Sequence, residues 1–253
     1  MIDIGLIGIG TGNPDHVTLA AIKAMQAADL VLLPRKGEDK AELIDLRREI
    51  CAAHLPDLSR VVEFDLPVRD GRAEYLDGVN DWHDAIAGTW LREIQTHLPG
   101  GGRVVLLVWG DPSLYDSTLR ITERLALGGM AVTTRVVPGV TSLSVLTAAH
   151  AIPLNTLGAP VLITTGRRLR ENGWPVDADA VAVMLDAGGA FSTLDPSGLH
   201  IWWGAYVGMP QESLISGPLA EVAQTILDRR AALRAQHGWI MDIYLLHRAP
   251  RQG

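Results

Sequence analysis

An apolar segment runs directly into a glycine cluster at the start of the chain, and this feature constrains the fold most. Residues 2–8 read Ile-Asp-Ile-Gly-Leu-Ile-Gly, and residues 9–14 read Ile-Gly-Thr-Gly-Asn-Pro. A helical pattern follows over residues 17–28. A strand, a glycine turn and a helix in this order predict a parallel α/β sheet whose main-chain atoms approach a small ligand at the carboxyl edge.

The glycine loop departs from a dinucleotide-binding fingerprint. That fingerprint has a third glycine where Asn13 stands, and Pro14 interrupts the turn. It also has an acidic residue after the second strand, whereas Pro34, Arg35 and Lys36 follow the strand predicted over residues 29–33. An ordinary NAD site is therefore disfavoured. An NADP site stays open as an alternative, because Arg35 and Lys36 can neutralise a 2′-phosphate.

Composition narrows the class of protein. The 253 residues carry 22 Lys and Arg against 29 Asp and Glu, a net charge of −7, which argues against nucleic acid as the main partner. The lone cysteine, Cys51, excludes an internal disulfide. The first residues do not resemble a secretion leader, and no apolar run nears the ~20 residues of a membrane helix. We expect a cytoplasmic protein.

The pattern of elements predicts two α/β domains, over residues 1–115 and 116–253. In the first half, strand-like and helical segments alternate, as in a mainly parallel sheet. In the second half, strand-like runs at 161–165, 180–185, 200–207 and 239–246 are separated by fewer helices, which favours a mixed sheet. The helix predicted over residues 219–234 has Arg229 and Arg230 on its polar face.

Three turn-forming clusters follow predicted strands. They occupy residues 8–14, 110–115 and 138–142, and each contains glycine and proline. Because the carboxyl ends of parallel strands meet at one edge, we expect these loops to converge beside a ligand. No spacing typical of zinc ligands and no Gly-x-Ser-x-Gly elbow occurs, so neither a metal nor a serine nucleophile is expected.

These three loops resemble the tetrapyrrole methylase family, the class III S-adenosylmethionine (SAM) methyltransferases. Residues 8–19, Gly-Ile-Gly-Thr-Gly-Asn-Pro-Asp-His-Val-Thr-Leu, are similar to the family's opening Gly-x-Gly-Pro-Gly-Asp-Pro motif. Residues 109–112, Trp-Gly-Asp-Pro, resemble its Gly-Gly-Asp-Pro loop, and Pro-Gly-Val-Thr-Ser at 138–142 resembles its third motif. The chain departs from the family pattern at Thr11, Asn13 and Trp109. The resemblance covers essentially the whole chain.

The resemblance implies a fold of two domains with a ligand trough between them, SAM as methyl donor and a precorrin as substrate. The segments Leu-Leu-Pro-Arg-Lys-Gly, Trp-Gly-Asp-Pro-Ser-Leu-Tyr and Asp-Ile-Tyr-Leu-Leu resemble the branch that methylates C-1 of precorrin-5 and releases acetate. Methylation at C-11 or C-17 stays open, since the branches share their cofactor loops. A tetrapyrrole carrier without catalysis is a further alternative. The family tends to form homodimers, so a homodimer is expected.

The resemblance also implies a set of site residues. The positions that match the family's cofactor contacts are Gly10, Thr11, Trp109, Gly110, Asp111, Thr141, Ser142, Met184, Trp203 and Leu219. Among polar groups near the predicted crevice, Tyr115 is the first candidate to assist deacetylation, by donating to a developing oxyanion, and Asp111 is the second. Because the substrate is a polycarboxylate, Arg35, Lys36 and Arg167 are predicted to bind it.

Overall fold

The computed structural model describes residues 1–35, 41–67 and 75–248, with the backbone alone for residues 41, 42 and 75–77. The chain forms two compact units, Met1–Thr141 and Ser142–Gly253. Within these ranges, no helix combines the length and hydropathy that a membrane-spanning segment requires. The two-unit α/β fold predicted from the sequence is confirmed.

The first unit alternates five strands with four helices along the part of the chain that is described. In chain order they are β1 (Ile2–Gly8), α1 (Leu19–Gln26), β2 (Leu30–Arg35), α2 (Ala41–His54), β3 (Val61–Asp65), α3 (Tyr75–His97), β4 (Gly102–Val108), α4 (Thr118–Leu127) and β5 (Val132–Val137). All four strand pairs are parallel, and the sheet order is β3-β2-β4-β1-β5. This confirms the parallel sheet predicted from the alternating pattern.

Alternate residues of the strands face opposite helical layers. Ile4 and Leu6 of β1 pack in one cluster with α3 and α4, through residues such as Trp90 and Ile121. Ile7, at the other parity, packs with α1 and α2 in a second cluster. Both faces of a parallel sheet are thus covered, which explains why its strands read as almost continuous apolar runs.

The second unit contains five strands and three helices among its described residues. They are α5 (Ser142–Ala149), β6 (Val161–Thr165), α6 (Gly166–Asn172), β7 (Ala180–Met184), β8 (Leu199–Ala205), β9 (Ser213–Pro218), α7 (Leu219–His237) and β10 (Asp242–Arg248). The sheet order is β6-β7-β10-β8-β9. Only β6 and β7 run parallel, since β10 is antiparallel to both of its neighbours and β8 is antiparallel to β9. The predicted mixed sheet is confirmed.

The boundary between the units lies later than the sequence pattern predicted. The predicted break after residue 115 would separate α4 and β5 from the first sheet. Instead β5 pairs with β1 from Ile2–Val132 to Ile7–Val137, and α4 packs on the cluster that contains α3. The break falls between Thr141 and Ser142 because this non-local pairing holds β5 in the first unit.

A buried polar network holds the second unit together and corrects one prediction. Arg230 does not lie on the polar face of α7: it is 8% exposed. Its Nε donates to Asp242 Oδ2 at 2.6 Å, and its Nη2 donates to the main-chain oxygen of Asp186 at 2.6 Å. Tyr244 donates its hydroxyl to Asp186 Oδ2 at 2.7 Å. Partners on other elements offset the cost of burying this charge.

Candidate functional site

The candidate site lies where the chain leaves two neighbouring parallel strands toward opposite faces of the sheet. β1 and β4 lie side by side, in register from Ile2–Gly102 to Gly8–Val108. The chain leaving β1 enters α1 on one face of the sheet, whereas the chain leaving β4 enters α4 on the other face. A parallel sheet opens a crevice at the carboxyl edge where successive connections diverge in this way. The predicted loops therefore meet where a ligand site is expected.

Three glycines pack main chain against main chain at this edge. A Cβ added to Gly139 would lie 2.0 Å from the carbonyl oxygen of Gly110 and 2.7 Å from Cα of Gly8. A Cβ added to Gly8 would lie 2.5 Å from the nitrogen of Gly139. No side chain fits at either position. Glycine is thus required here for close approach of three loops, as the sequence pattern predicted for the clusters at 8–14, 110–115 and 138–142.

A two-way hydrogen bond joins the first two loops. Gly110 donates its N–H to Gly10 O at 2.7 Å, and Gly10 donates to Gly110 O at 3.4 Å. Gly110 has φ +61°, and nothing lies within 4 Å of the position its Cβ would take. A ligand can therefore approach the backbone of Gly110 without meeting a side chain, which fits a cofactor held through main-chain atoms.

Asp111 fastens the second loop to the third. Its Oδ2 accepts from Gly139 N at 2.9 Å, and its Oδ1 accepts from Ser113 N at 2.8 Å and from the Ser113 hydroxyl. Burial raises the pKa of this carboxyl, but the hydrogen bonds from Ser113 and Gly139 outweigh it and hold the pKa below its usual range. The carboxylate acts here as an acceptor that shapes the loops.

Local capping explains the conformation of the first loop. Asn13 caps the short 3-10 turn Pro14–His16 by accepting from Asp15 N at 2.9 Å. Thr18 then caps α1, accepting from Ala21 N at 3.1 Å. Thr11 is buried, and its hydroxyl lies 3.3 Å from Nδ1 of His16. The His16 side chain thus contacts the first loop through Thr11.

Tyr115 ends the second loop in an unusual backbone conformation. Its φ is +51°, in the left-handed region that few residues other than glycine adopt, and it is 44% exposed. Such strain occurs at functional sites, where surrounding structure holds it in place. The role of Tyr115 in deacetylation stays a prediction.

The predicted basic residues of the first unit are only partly described. Arg35, at the end of β2, forms a two-pronged ion pair with Asp65: Nε to Oδ1 at 2.8 Å and Nη2 to Oδ2 at 3.0 Å. The pKa of Arg35 is raised by this hydrogen-bonded partner. A substrate carboxylate at Arg35 would therefore compete with Asp65. Lys36 lies outside the described residues.

The remaining predicted contacts belong to the second unit. Met184 ends β7 half-buried, and Leu185 after it has φ +52° and is 64% exposed. Leu219, which begins α7, is 1% exposed. Arg167 lies exposed in the first turn of α6, and Ser142 begins α5 half-buried.

Trp203 is the predicted cofactor contact with the least accessible side chain. It is fully buried and donates its indole N–H to Asp242 Oδ2 at 2.8 Å, while its main-chain oxygen contacts Nε2 of His150 at 3.0 Å. Its side chain is part of the buried network around Arg230. These contacts account for Trp203 without a ligand.

Sequence analysis missed Arg47, which lies beside the second loop. Its guanidinium carbon lies 5.0 Å from the ring centre of Trp109, and the residue is 8% exposed. The sequence does contain a signal: Arg47 interrupts an apolar stripe formed by Ile44, Ile50 and Cys51 on α2. A cation within such a stripe indicates a buried, partnered charge.

Comparison with known proteins defines the class. The family model described as "Tetrapyrrole (Corrin/Porphyrin) Methylases" matches residues 3–223. The chain belongs to this family. The fold and the three converging glycine loops agree with that assignment. No group of three or more His, Cys, Asp or Glu residues able to hold a metal occurs in the described part of the chain.

Individual relatives sharpen the comparison. The chain is 49% identical over 251 residues to precorrin-6A synthase [deacetylating] from Sinorhizobium sp, covering 98% of this chain and 96% of that protein. A crystal structure from Corynebacterium diphtheriae, described as a cobalamin synthesis related protein (CobF), shares 35% identity with a TM-score of 0.84, covering 99% of this chain and all of that one.

A more distant solved structure shows the same fold. The uroporphyrin-III C-methyl transferase of Thermus thermophilus, complexed with S-adenosylhomocysteine, has a TM-score of 0.59 at 22% identity. The alignment covers 97% of this chain and 92% of that one.

Proposed function

We propose that this chain methylates C-1 of precorrin-5 with SAM and releases the extruded acyl group as acetate, giving precorrin-6A. The observation that carries the proposal is the 49% identity to precorrin-6A synthase [deacetylating] over nearly the full length of both chains. The alignment covers 98% of this chain, so it extends over the segments outside the three glycine loops as well as over the loops. It therefore favours C-1 over C-11 or C-17.

The first unit supplies a main-chain platform for SAM. When bound, SAM supplies a methyl group already activated by its sulfonium. The open backbone of Gly110, joined to Gly10, accepts a ligand at the crevice beside Thr11 and Trp109. Asp111 keeps the second and third loops together. Thr141, Ser142, Met184, Trp203 and Leu219 stay predictions for cofactor contact, as the resemblance implies. Accurate positioning of reactants is worth about 7–11 kcal/mol of barrier.

Deacetylation needs a group that stabilises negative charge on the acyl oxygen. Water adds its oxygen to the acyl carbon, and the bond from that carbon to the ring carbon breaks. The electron pair of that bond stays on the ring, where it neutralises the positive charge left by methyl transfer, while one proton of the water leaves with acetic acid and the other goes to solvent. We assign the Tyr115 hydroxyl as the donor to the acyl oxygen. Asp111, a carboxylate that accepts hydrogen bonds, stays the second candidate for assisting the reaction, as the base that activates the water. The exposed, strained position of Tyr115 at the end of the second loop supports this assignment.

Binding of the substrate's carboxylates requires positively charged side chains. Arg35, Lys36 and Arg167 stay predictions for this role, and at Arg35 the substrate would displace or share Asp65. A homodimer likewise stays a prediction. Neither assignment affects the proposed reaction.

One experiment tests the reaction directly. The protein is incubated with precorrin-5 and methyl-labelled SAM, and the products are analysed by mass spectrometry. The proposal expects one labelled methyl gained and one acetyl lost, with free acetate in the medium. A methylated product that keeps its acetyl group would overturn the assignment to C-1. Binding of NADPH but not of S-adenosylhomocysteine in calorimetry would overturn the class of reaction.

A further inference from the structure

Arg47 of α2 contacts both the end of β4 and the aromatic side chain that follows this strand. Its Nε donates to the main-chain oxygen of Leu107 at 3.2 Å, and its guanidinium carbon lies 5.0 Å from the ring centre of Trp109. A cation within about 6 Å of an indole ring is attracted by the ring's quadrupole, more strongly where water is excluded. Arg47 is 8% exposed, so this contact is largely shielded from water.

The hydrogen bond to Leu107 lies just past the end of a strand pairing. β4 pairs with β2 only as far as Leu32–Leu106, although its pairing with β1 continues to Gly8–Val108. Arg47 therefore binds the main chain of β4 at the point where its pairing with β2 has ended. This point is two residues before Trp109, so the arginine fixes the strand end from which the second glycine loop leaves the sheet.

The guanidinium of Arg47 is itself held in place and charged. Its Nη1 donates to the main-chain oxygen of Leu43, one turn earlier on α2, at 3.2 Å. Burial lowers the pKa of Arg47 to about 10, with Asp116 and Cys51 acting in the opposite direction, so the group keeps its charge at neutral pH. Hydrogen bonds to main-chain oxygens of α2 and of β4 thus fix the cation that faces the indole ring.

A cavity of about 230 Å³ adjoins both Arg47 and Trp109, and Trp90 and Asp116 also line it. Protein interiors normally fix side chains by close packing on every side. A ring that borders a cavity lacks such packing on the side of the cavity. The contact with Arg47 therefore contributes more to the orientation of the Trp109 indole than it would in a close-packed core.

The surface that Trp109 presents is made of carbon atoms. Its Nε1, the only polar atom of the side chain, is buried and has no hydrogen-bond partner within the described part of the chain. The residue as a whole is half-buried, so any accessible surface of the side chain is apolar. Gly110, which follows directly, leaves its backbone open to a ligand. An apolar surface beside this open backbone suits the uncharged part of a ligand that main-chain atoms hold.

We propose that Arg47 is a positioning residue for the cofactor, because it holds the indole of Trp109 in the orientation in which that ring contacts SAM. Arg47 acts through Trp109 and contacts no reacting atom. Glycine, which the family usually has at this position, offers no side chain to orient, so the shared motif does not itself require this arginine. The inference rests on the proposed function in taking SAM as the ligand of the loop that contains Trp109.

A double-mutant cycle tests whether Arg47 acts through Trp109. Arg47→Met keeps an unbranched apolar side chain and removes the charge and the donors. In the parent protein this change is expected to weaken binding of S-adenosylhomocysteine, measured by calorimetry, about tenfold. In Trp109→Gly, which introduces the family's residue, the same change is expected to leave the affinity of that variant as it is. Equal weakening in both backgrounds would overturn the proposal, because Arg47 would then act on the fold or on the ligand directly, and so would no weakening in the parent.

Two further variants complete this comparison. Arg47→Lys keeps a charge near the ring but loses the planar fork, so it should weaken binding less than Arg47→Met, and it replaces that variant in the cycle if Arg47→Met does not fold. The neighbouring Arg48 is exposed and paired with Glu63 and Asp45, so Arg48→Gln is expected to bind S-adenosylhomocysteine like the parent protein. A loss in Arg48→Gln as large as in Arg47→Met would contradict a specific role of Arg47.

Hydrogen exchange of the indole N–H gives a second readout, without any ligand. The protein contains seven tryptophans, and the signal of Trp109 in ¹⁵N-labelled protein is the one missing from Trp109→Phe. In Arg47→Met this signal should exchange with deuterated water about tenfold faster, while that of Trp203 in the second unit keeps its rate. An unchanged rate for Trp109 would overturn the proposal. Faster exchange in a protein whose parent form does not bind S-adenosylhomocysteine would instead overturn the proposed function and leave the orientation of Trp109 by Arg47 standing.

Discussion

The carboxylate of Asp111 accepts a hydrogen bond from the main-chain N–H of Gly139 at 2.9 Å, and so ties the loop after β4 to the loop after β5. These two strands lie on either side of β1 in the sheet. This one side chain therefore connects two loops whose strands flank β1, the strand that leads into the first glycine loop. The family's Gly-Gly-Asp-Pro motif, which the chain matches at Asp111, therefore has a structural purpose here besides any contact with a ligand.

Removing this carboxylate is expected to loosen the cofactor platform. Asp111→Ala deletes the hydrogen bonds to Gly139 and Ser113, and we expect a loss of about 1–3 kcal/mol in the free energy of unfolding. S-adenosylhomocysteine should bind at least ten times more weakly, since the loops lose their fixed spacing. Urea unfolding and calorimetry measure the two effects. Ser113→Ala, which removes only the hydroxyl donor, is the control, and equal affinity in Asp111→Ala and the parent would refute the role.

The same carboxylate predicts a pH dependence. Its folded-state pKa lies below the usual range of ~3.9, because hydrogen bonds outweigh burial. A group with a depressed pKa stabilises the fold fully above its unfolded pKa, and the stabilisation is lost as the pH falls through the folded value. The difference in unfolding free energy between the parent and Asp111→Asn should therefore be constant from about pH 5 to 8 and shrink below about pH 4. A difference that already shrinks near pH 6 would contradict this assignment.

The contact of three glycines predicts an intolerant position. Gly139→Ala places a methyl 2.0 Å from the oxygen of Gly110, so the backbone of at least one loop must move. We expect a destabilisation of about 1–3 kcal/mol, typical of overpacking, together with loss of cofactor binding. Gly100→Ala is the matched control, because nothing lies within 4 Å of its Cβ. Scanning calorimetry with and without S-adenosylhomocysteine compares them, and similar melting temperatures for both variants would argue against close packing.

Tyr115 and Tyr206 both have positive φ, and comparing their variants distinguishes an effect on the reaction from an effect on stability. Tyr115→Phe keeps the ring but loses the hydroxyl, and if that hydroxyl stabilises the acyl oxygen, acetate release should slow about 100-fold. Tyr206→Phe is the counterpart in the second unit, where the hydroxyl donates to the main-chain oxygen of Trp239 at 2.6 Å. It should lower stability and leave the rate of acetate release unchanged. Proton NMR of released acetate in a single turnover measures the rate, and an unchanged rate in Tyr115→Phe removes it from the mechanism.

The adjacent residues Arg229 and Arg230 of α7 are expected to differ in how much their hydrogen-bond partners contribute to stability. Asp242→Asn leaves the guanidinium of Arg230 without its counter-charge in a buried position, which should cost about 3–5 kcal/mol. Arg229 is exposed and donates to the Ser213 hydroxyl at 2.9 Å. Arg229→Ala should therefore change stability by less than about 1 kcal/mol. Urea unfolding of both variants tests this, and a small effect of Asp242→Asn would show that solvent reaches Arg230.

The first unit was largely predictable because its signals are local. The strand at Ile2–Gly8 lies where the apolar pattern placed it. The glycine loops could be located because only glycine tolerates main-chain contact. The strand Ser213–Pro218 was missed, since serine, glycine and proline are rare in strands and only pairing with β8 holds it extended.

The features missed in the sequence depend on contacts between distant residues. Arg229 and Arg230 are adjacent residues of the same type. Only Arg230 is buried, where it contacts Asp242 on β10. Trp90 belongs to an apolar stripe on α3 and Trp109 follows β4, so neither pattern indicates that they share a cavity with Arg47. The pairing of β5 with β1 likewise joins strands at opposite ends of the first unit's sequence, and this pairing places the boundary later than predicted.

The reciprocal amide contacts between Gly10 and Gly110 have an evolutionary consequence. Since these contacts involve no side chain, the hydrogen bonds themselves do not require particular side chains at the neighbouring positions. Thr11 and Asn13 occupy positions where the family usually has proline and aspartate, yet the hydrogen bonds between the two glycines remain. Residues other than proline and aspartate at these two positions are therefore compatible with the main-chain contacts between Gly10 and Gly110.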